Sequence, residues 1–170
     1  MATARKTTKP KSTSATAAPD AIELLTTDHK EVKALFKEYD KLVKAEGGDE
    51  DKQALAQKIC AMLTVHATIE EEIFYPAARA ALEEQDLLDE AEVEHAGAKD
   101  LIAQIEAMDP SEPLYDAKVT VLGEYIDHHV KEEEGEMFPQ ARKAKLDLAA
   151  IGAELAERKE ELMAEVGSEA

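Results

Sequence analysis

Residues 66–76 read HATIEEEIFYP, and residues 129–139 read HVKEEEGEMFP. In both, a histidine precedes a glutamate by four positions and a proline by ten, with an aromatic residue just before the proline. On an α-helix, the i,i+4 pairs His66–Glu70 and His129–Glu133 are offset by about 40° and about 6 Å along the axis, so both members reach one point. Spacing alone decides little. Glutamate fills 26 of the 170 positions, so five histidines should give nearly one such pair by accident, and His128–Glu132 is read as that accident. The repetition decides more. Upstream, DHKEVKALF at 28–36 aligns with EHAGAKDLI at 94–102, so His29 and His95 precede the second histidines by 37 and 34 residues.

Working outward, apolar residues recur at helical rather than strand spacing. Asp20 and Glu23 form a capping box opening a helix to about Ala45, with a second box at Asp28–Glu31 hinting at a break near Thr26–Thr27. Gly47-Gly48 is expected to end it. A second helix is predicted over about 51–82, kinked or broken at Pro76. A third covers about 86–108, ahead of Asp109-Pro110. A fourth begins near 111–113 and runs to about Lys145, interrupted at Pro139. Asp147 caps a short fifth helix carrying Leu148, Ile151, Leu155 and Leu162. Short connections between long helices make them antiparallel neighbours. The expected fold is all-α, an up-down-up-down four-helix bundle with a short extra C-terminal helix. Its parts are a disordered basic tail (1–19), the bundle (20–145) and the C-terminal helix (146–170).

Composition agrees. Aromatics are 4% of the chain and Trp is absent, which argues against barrels and sandwiches, while Ala, Leu, Glu and Lys dominate. The single cysteine, Cys60, excludes an internal disulfide framework and a Cys-based zinc site; it reads as a small buried side chain. With the chain at −18 and the first 19 residues at +4 (Arg5, Lys6, Lys9, Lys11), the remainder carries −22. Such a body repels nucleic acid and anionic membrane surfaces, so neither is an expected partner. No apolar run approaches the ~20 residues of a membrane span, and no apolar secretory segment opens the chain, so the expected location is cytoplasmic.

The histidines carry the functional reading. His29 shares a helix face with Leu25, Val32 and Phe36, and His66 with Ile59, Met62, Leu63, Ile69 and Ile73. His95 shares one with Leu88, Ile102 and Ile105, and His129 with Leu122, Tyr125 and Ile126. Each bundle helix therefore aims one imidazole at the core. Burying an unsatisfied polar group costs about 1–3 kcal/mol, and a metal centre satisfies all four at once. Two hairpins of one design would bring four histidines and two glutamates to a pseudo-twofold axis.

This pattern, H…HxxxE…H…HxxxE with Glu-rich runs ending in aromatic-Pro, resembles the hemerythrin-like HHE cation-binding family over about residues 20–145. The resemblance implies a non-haem di-iron centre, oxo- or hydroxo-bridged when oxidised. It makes His29, His66, His95 and His129 terminal ligands, and Glu70 and Glu133 the bridges. Oxygen-carrying members have a fifth histidine four positions from the third-helix one; here Ala91 and Lys99 flank His95 at that spacing. That leaves a more open, more symmetric site and argues against simple oxygen carriage. His128 lies about 100° from His129 and is expected to face a neighbouring helix or solvent.

The expected role is a di-iron protein that binds or detoxifies O2, peroxide or NO, or takes part in iron handling. A binding protein is favoured over an enzyme, although the symmetric set permits catalase-like peroxide disproportionation. Monomer is slightly favoured, and nothing in the sequence decides it. Mixed imidazole and carboxylate donors suit Mn and Zn as well as Fe. The alternatives are a mononuclear or non-iron cation site, and a metal-free helical interaction module with the glutamate runs as solvated faces. A ferritin-like site needs two Glu-x-x-His motifs and only Glu92–His95 fits; a zinc-protease His-Glu-x-x-His is absent. Tyr39, Tyr75 and Tyr125 lie on or beside the histidine faces, with ordinary packing as their expected role.

Overall fold

The computed structural model describes residues 17–168. Most of the basic segment 1–19 lies outside that range, so the expectation for it stays as stated. Seven α-helical stretches follow in order: α1 (Ala21–Lys44), α2 (Asp49–Ile69), α3 (Tyr75–Ala81), α4 (Gln85–Ala107), α5 (Tyr115–Glu132), α6 (Phe138–Lys143) and α7 (Leu148–Ser168). Wide π-helical turns, Glu70–Phe74 and Glu133–Met137, weld α2 to α3 and α5 to α6. The result is four long rods, each touching the next in the cyclic order α1, α2, α4, α5, with α7 laid outside against α1 and α2. Among the described residues there is no strand.

Most predicted helix ends hold. Both bonds of the Asp20–Glu23 capping box form at 2.9 Å, and Asp147 caps α7 through the Ala150 amide at 3.1 Å. Three local expectations need correction. α1 has no break at Thr26–Thr27; the Thr27 hydroxyl donates to the Glu23 carbonyl at 2.9 Å, which leaves the helix intact. The left-handed residue ending α1 is Glu46 (φ 54°), not a glycine. Gly47 closes the motif by donating its amide to the Leu42 carbonyl at 2.9 Å. The prolines neither break nor sharply end their helices. Pro76 and Pro139 each follow directly on a π turn, whose last bond runs from the Tyr75 or Phe138 amide to the Glu70 or Glu133 carbonyl. The extra residue absorbs the missing N–H and the ring clash that would kink an α-helix.

The turn also re-aims side chains. On an uninterrupted helix Tyr75, nine residues past His66, would stand about 180° away; one residue of bulge brings it back to about 80°. α7 is 21 residues long, as long as α2. It crosses the start of α1 so closely that a Cβ on Gly152 would sit 2.7 Å from the Ala21 amide nitrogen and the Pro19 carbonyl oxygen. These are backbone atoms that cannot turn aside.

Two apolar clusters fill the bundle. One, around Leu25, Ile69, Phe74, Leu88 and Phe138, lies towards the π turns. The other, around Ile59, Leu63, Ile102, Tyr115 and Leu122, fills the opposite end and includes Cys60, buried as expected. Between them is a polar layer, since His29, Glu70, His95, His129 and Glu133 are all buried with Asp28.

Candidate metal centre

The structure brings all six residues singled out from sequence into that layer. The imidazoles meet in two near-identical pairs. His29 and His66 place their Nε2 atoms 3.2 Å apart, and His95 and His129 theirs 3.3 Å apart. Ring centroids are 4.9 and 4.8 Å apart, at 65° and 61°. Glu70 lies between the pairs, its ligand atoms grouped with His29 and His66 on one side and with His95 and His129 on the other. Glu133 spans them through its two oxygens, Oε1 lying 3.4 Å from His29 Nε2 and Oε2 3.0 Å from His129 Nε2.

Carboxylates hold the outer edges of three rings. His66 Nδ1 lies 3.0 Å from Asp28, His129 Nδ1 3.0 Å from Glu94, and His29 Nδ1 3.1 Å from Glu134. The fourth, His95 Nδ1, faces Glu71 at 3.8 Å, beyond hydrogen-bond reach, because Lys99 draws Glu71 away with a 2.6 Å bond. An Nδ1–H committed to a carboxylate turns the Nε2 lone pair inward, the arrangement that supports a metal-ligating histidine.

These outer carboxylates escaped the sequence reading. The signal was in the repeat: an acid precedes His29 and His95 (Asp28, Glu94), and an acid follows Glu70 and Glu133 (Glu71, Glu134). In so acidic a chain they read as solvated faces. The runs in fact divide, with Glu70 and Glu133 buried, Glu71 and Glu134 half-buried, and Glu72 and Glu136 exposed.

Tyr75 departs most from expectation. Its hydroxyl donates to Glu133 Oε2 at 2.7 Å and lies 3.2 and 3.3 Å from the Nε2 atoms of His95 and His129. Its role is therefore more than packing. Tyr39, about 15 Å along α1 from His29, instead donates to Asp116 at 2.6 Å. Tyr125 is 53% exposed. His128 points to solvent, beside Glu132 at 3.2 Å and Glu94 at 3.6 Å.

The electrostatics favour a cation at each pair. Burial pushes the His66 imidazolium down, but the Glu70 charge and the Asp28 bond outweigh it and raise its pKa to about 10. His129 likewise rises to about 11, its bonds to Glu133 and Glu94 overcoming burial. His95, buried against the charged His129, falls to about 3. Without a metal, His66 and His129 therefore keep their protons at neutral pH. Burial and the Glu133 charge hold Glu70 above the ordinary carboxylate range. Both Glu70 oxygens and Glu133 Oε1 lack a hydrogen-bond partner, although Glu70 Oε1 touches His66 Nε2. Wholly buried carboxylate oxygens left unpartnered beside inward imidazoles fit a metal better than a proton network.

The hemerythrin HHE cation-binding domain model matches residues 20–141. The chain belongs to the hemerythrin HHE cation-binding family. The HHE match ends before α7, and it identifies the domain as a cation-binding one. The chain also resembles the crystal structure of a hemerythrin HHE cation binding domain-containing protein from Mycobacterium kansasii. That likeness has a TM-score of 0.71 and 27% identity, over 85% of this chain and 87% of the other. A curated relative, named DNA nickase, from Nostoc sp. (strain PCC 7120) is 33% identical over 121 residues. The matched region is 71% of this chain, and this HHE chain spans only about a third (33%) of that relative's length. Among the described residues no helix is long and apolar enough to cross a membrane.

Proposed function

We propose that the protein holds two iron ions and uses them to bind or detoxify small oxygen species (O2, peroxide or NO), with iron handling as a related role. The observation that carries this reading is Glu70, wholly buried between two histidine pairs with Oε1 against His66 Nε2 and Oε2 unpartnered. In this reading His29 and His66 would hold one ion, His95 and His129 the other, with Glu70 and Glu133 shared between them. The two carboxylates offset part of the charge of two divalent ions, and mixed imidazole and carboxylate donors suit iron. The ions supply a place where a diatomic or peroxide ligand binds and exchanges electrons.

The chain's own groups set the conditions for that chemistry. Asp28, Glu94 and Glu134 fix the tautomers of His66, His129 and His29. The two apolar clusters exclude bulk water above and below the layer. Tyr75 contributes the hydroxyl proton nearest the ligand atoms, held on Glu133 Oε2, and its oxygen supplements the His95/His129 half where a fifth histidine is missing.

The name of the Nostoc relative attaches to a longer protein, of which the match covers 33%, while the region from residue 20 onward here carries −22. We propose no nucleic-acid partner for this domain, and a cytoplasmic location. The deciding experiment is metal analysis with optical spectra on anaerobically iron-loaded protein, before and after air. Two irons per chain with new oxo-bridge charge-transfer bands is the expected result. One iron or none, with no band, overturns the di-iron reading.

A further inference from the structure

A cavity of about 610 Å³ opens beside the centre. His29, His66, His95 and His129 all line it, so its inner end is the histidine cluster, and the rest of its wall is largely apolar, including Met62, Leu63, Ile126 and Val130. O2, NO and hydrogen peroxide are two heavy atoms each, about the size of one water (~30 Å³ in the liquid), whereas cavities of about 300–1,000 Å³ suit organic ligands many times larger. Hydrogen peroxide, which hydrogen-bonds at both ends, also gains nothing from such walls.

The mouth carries a second signal. Tyr125 and Met163, two of the few large apolar side chains exposed among the described residues (53% and 39%), both lie on this cavity. Met163 comes from α7, which therefore supplies one wall. Exposed apolar groups gathered at one opening mark a ligand entrance, and methionines adapt to varied shapes. Charge adds a constraint. Lys58, Lys99 and Lys159 line the cavity, and so do Asp28, Glu31 and Glu94. Lys99 and Lys159 are already bonded to Glu71 and Asp28. The balance selects neither anion nor cation.

We propose that this cavity binds an uncharged organic hydroperoxide, its apolar group against Met62, Leu63 and Ile126 and its peroxide end at the histidines. The choice of peroxide over another neutral oxygen function rests on the function proposed above; the cavity and its apolar, uncharged selectivity do not. The test uses full-length protein stripped of metal, so that binding is read without turnover. The uncharged fluorophore N-phenyl-1-naphthylamine should bind with one-to-one stoichiometry. Cumene hydroperoxide and its alcohol, 2-phenylpropan-2-ol, should both displace it at concentrations where hydrogen peroxide does not. Ala61→Phe, which fills the cavity from a half-buried position, and Met163→Glu, which charges its exposed mouth, should each weaken the fluorophore about tenfold.

Circular dichroism and iron content on the same preparations show whether each variant has folded and loads. Absent fluorophore binding, unchanged affinity in both variants, or displacement by the alcohol but not the hydroperoxide overturns the proposal. Failure of iron loading with intact displacement would sink the di-iron reading and leave the cavity site standing.

Discussion

The two hairpins, α1 with α2 and α4 with α5, present matching histidine pairs in near-identical geometry, yet they differ in what stands behind them. In the first, Asp28 holds His66 and is itself held by Lys159 of α7 at 2.5 Å. Asp28 stays buried, and those two partners keep its pKa below the ordinary range against the pull of burial. In the second, Glu94 holds His129 but looks outward to exposed His128. The residues before the prolines differ by one oxygen. Tyr75 reaches the second half with its hydroxyl, while its counterpart Phe138 stacks on His29 at 6.0 Å and 2°. A duplicated design thus gives one half backed by α7 and apolar on its inner side, and one half, equally buried, backed by a carboxylate that also meets exposed His128 and served by a phenol. Ligand identity sets what can bind; the surroundings make the two positions unequal.

The largest expected effect falls on what both halves share. Glu70→Ala or Glu133→Ala should lose one metal ion or both, measured as iron per chain. Two tightly held irons in the double variant would sink the bridging assignment. Next are the carboxylates behind the histidines. Asp28→Asn and Glu94→Gln should each weaken metal binding about 10–100-fold, the usual cost of losing such a partner. Competition with a chelator would read the difference, and Asp28→Asn should be the worse, because it also leaves Lys159 unpaired. Equal losses would mean that α7 does not distinguish the halves.

Tyr75→Phe makes the halves alike. It should retain two irons but slow the reaction with peroxide about 10–150-fold, as expected for a lost hydrogen bond to a charged group worth about 1.5–3 kcal/mol. An unchanged rate in stopped-flow traces would reduce Tyr75 to packing.

A smaller effect appears in pH dependence. In metal-free protein His66 and His129 titrate at about 10 and 11, above their unfolded value of about 6.5. Their stabilisation is complete below pH ~6.5 and is lost as pH climbs through those values. Denaturant midpoints should therefore fall on the alkaline side. Metal binding runs the other way, since protons compete with the ion and affinity drops as pH falls. Parallel pH trends with and without metal would contradict a site shared by proton and cation. The smallest effect is none: His128→Ala should leave iron content unchanged, and a drop would bring His128 to the metal.

Much of this was legible in the chain. Helical periodicity, capping boxes and short connections are local, and they place His29, His66, His95 and His129 on inward faces without reference to any neighbour. The His-x3-Glu repeat, being internal evidence of two equivalent hairpins, was enough to bring six residues to one layer. Asp28, Glu94 and Glu134 were not legible, because an acid beside a histidine in an acidic chain looks the same whether it faces water or the next helix.

Sequence by itself determined the four-rod bundle, the doubled hairpin and the converging imidazoles and carboxylates, since each follows from a 3.6-residue period acting within one segment. Only the tertiary structure decided that the prolines sit behind π turns, that this extra residue swings Tyr75 onto Glu133, and that Lys159, 131 residues along the chain from Asp28, completes the support of His66. Those contacts depend on how rods rotate against one another and on where α7 crosses, and no local pattern encodes either.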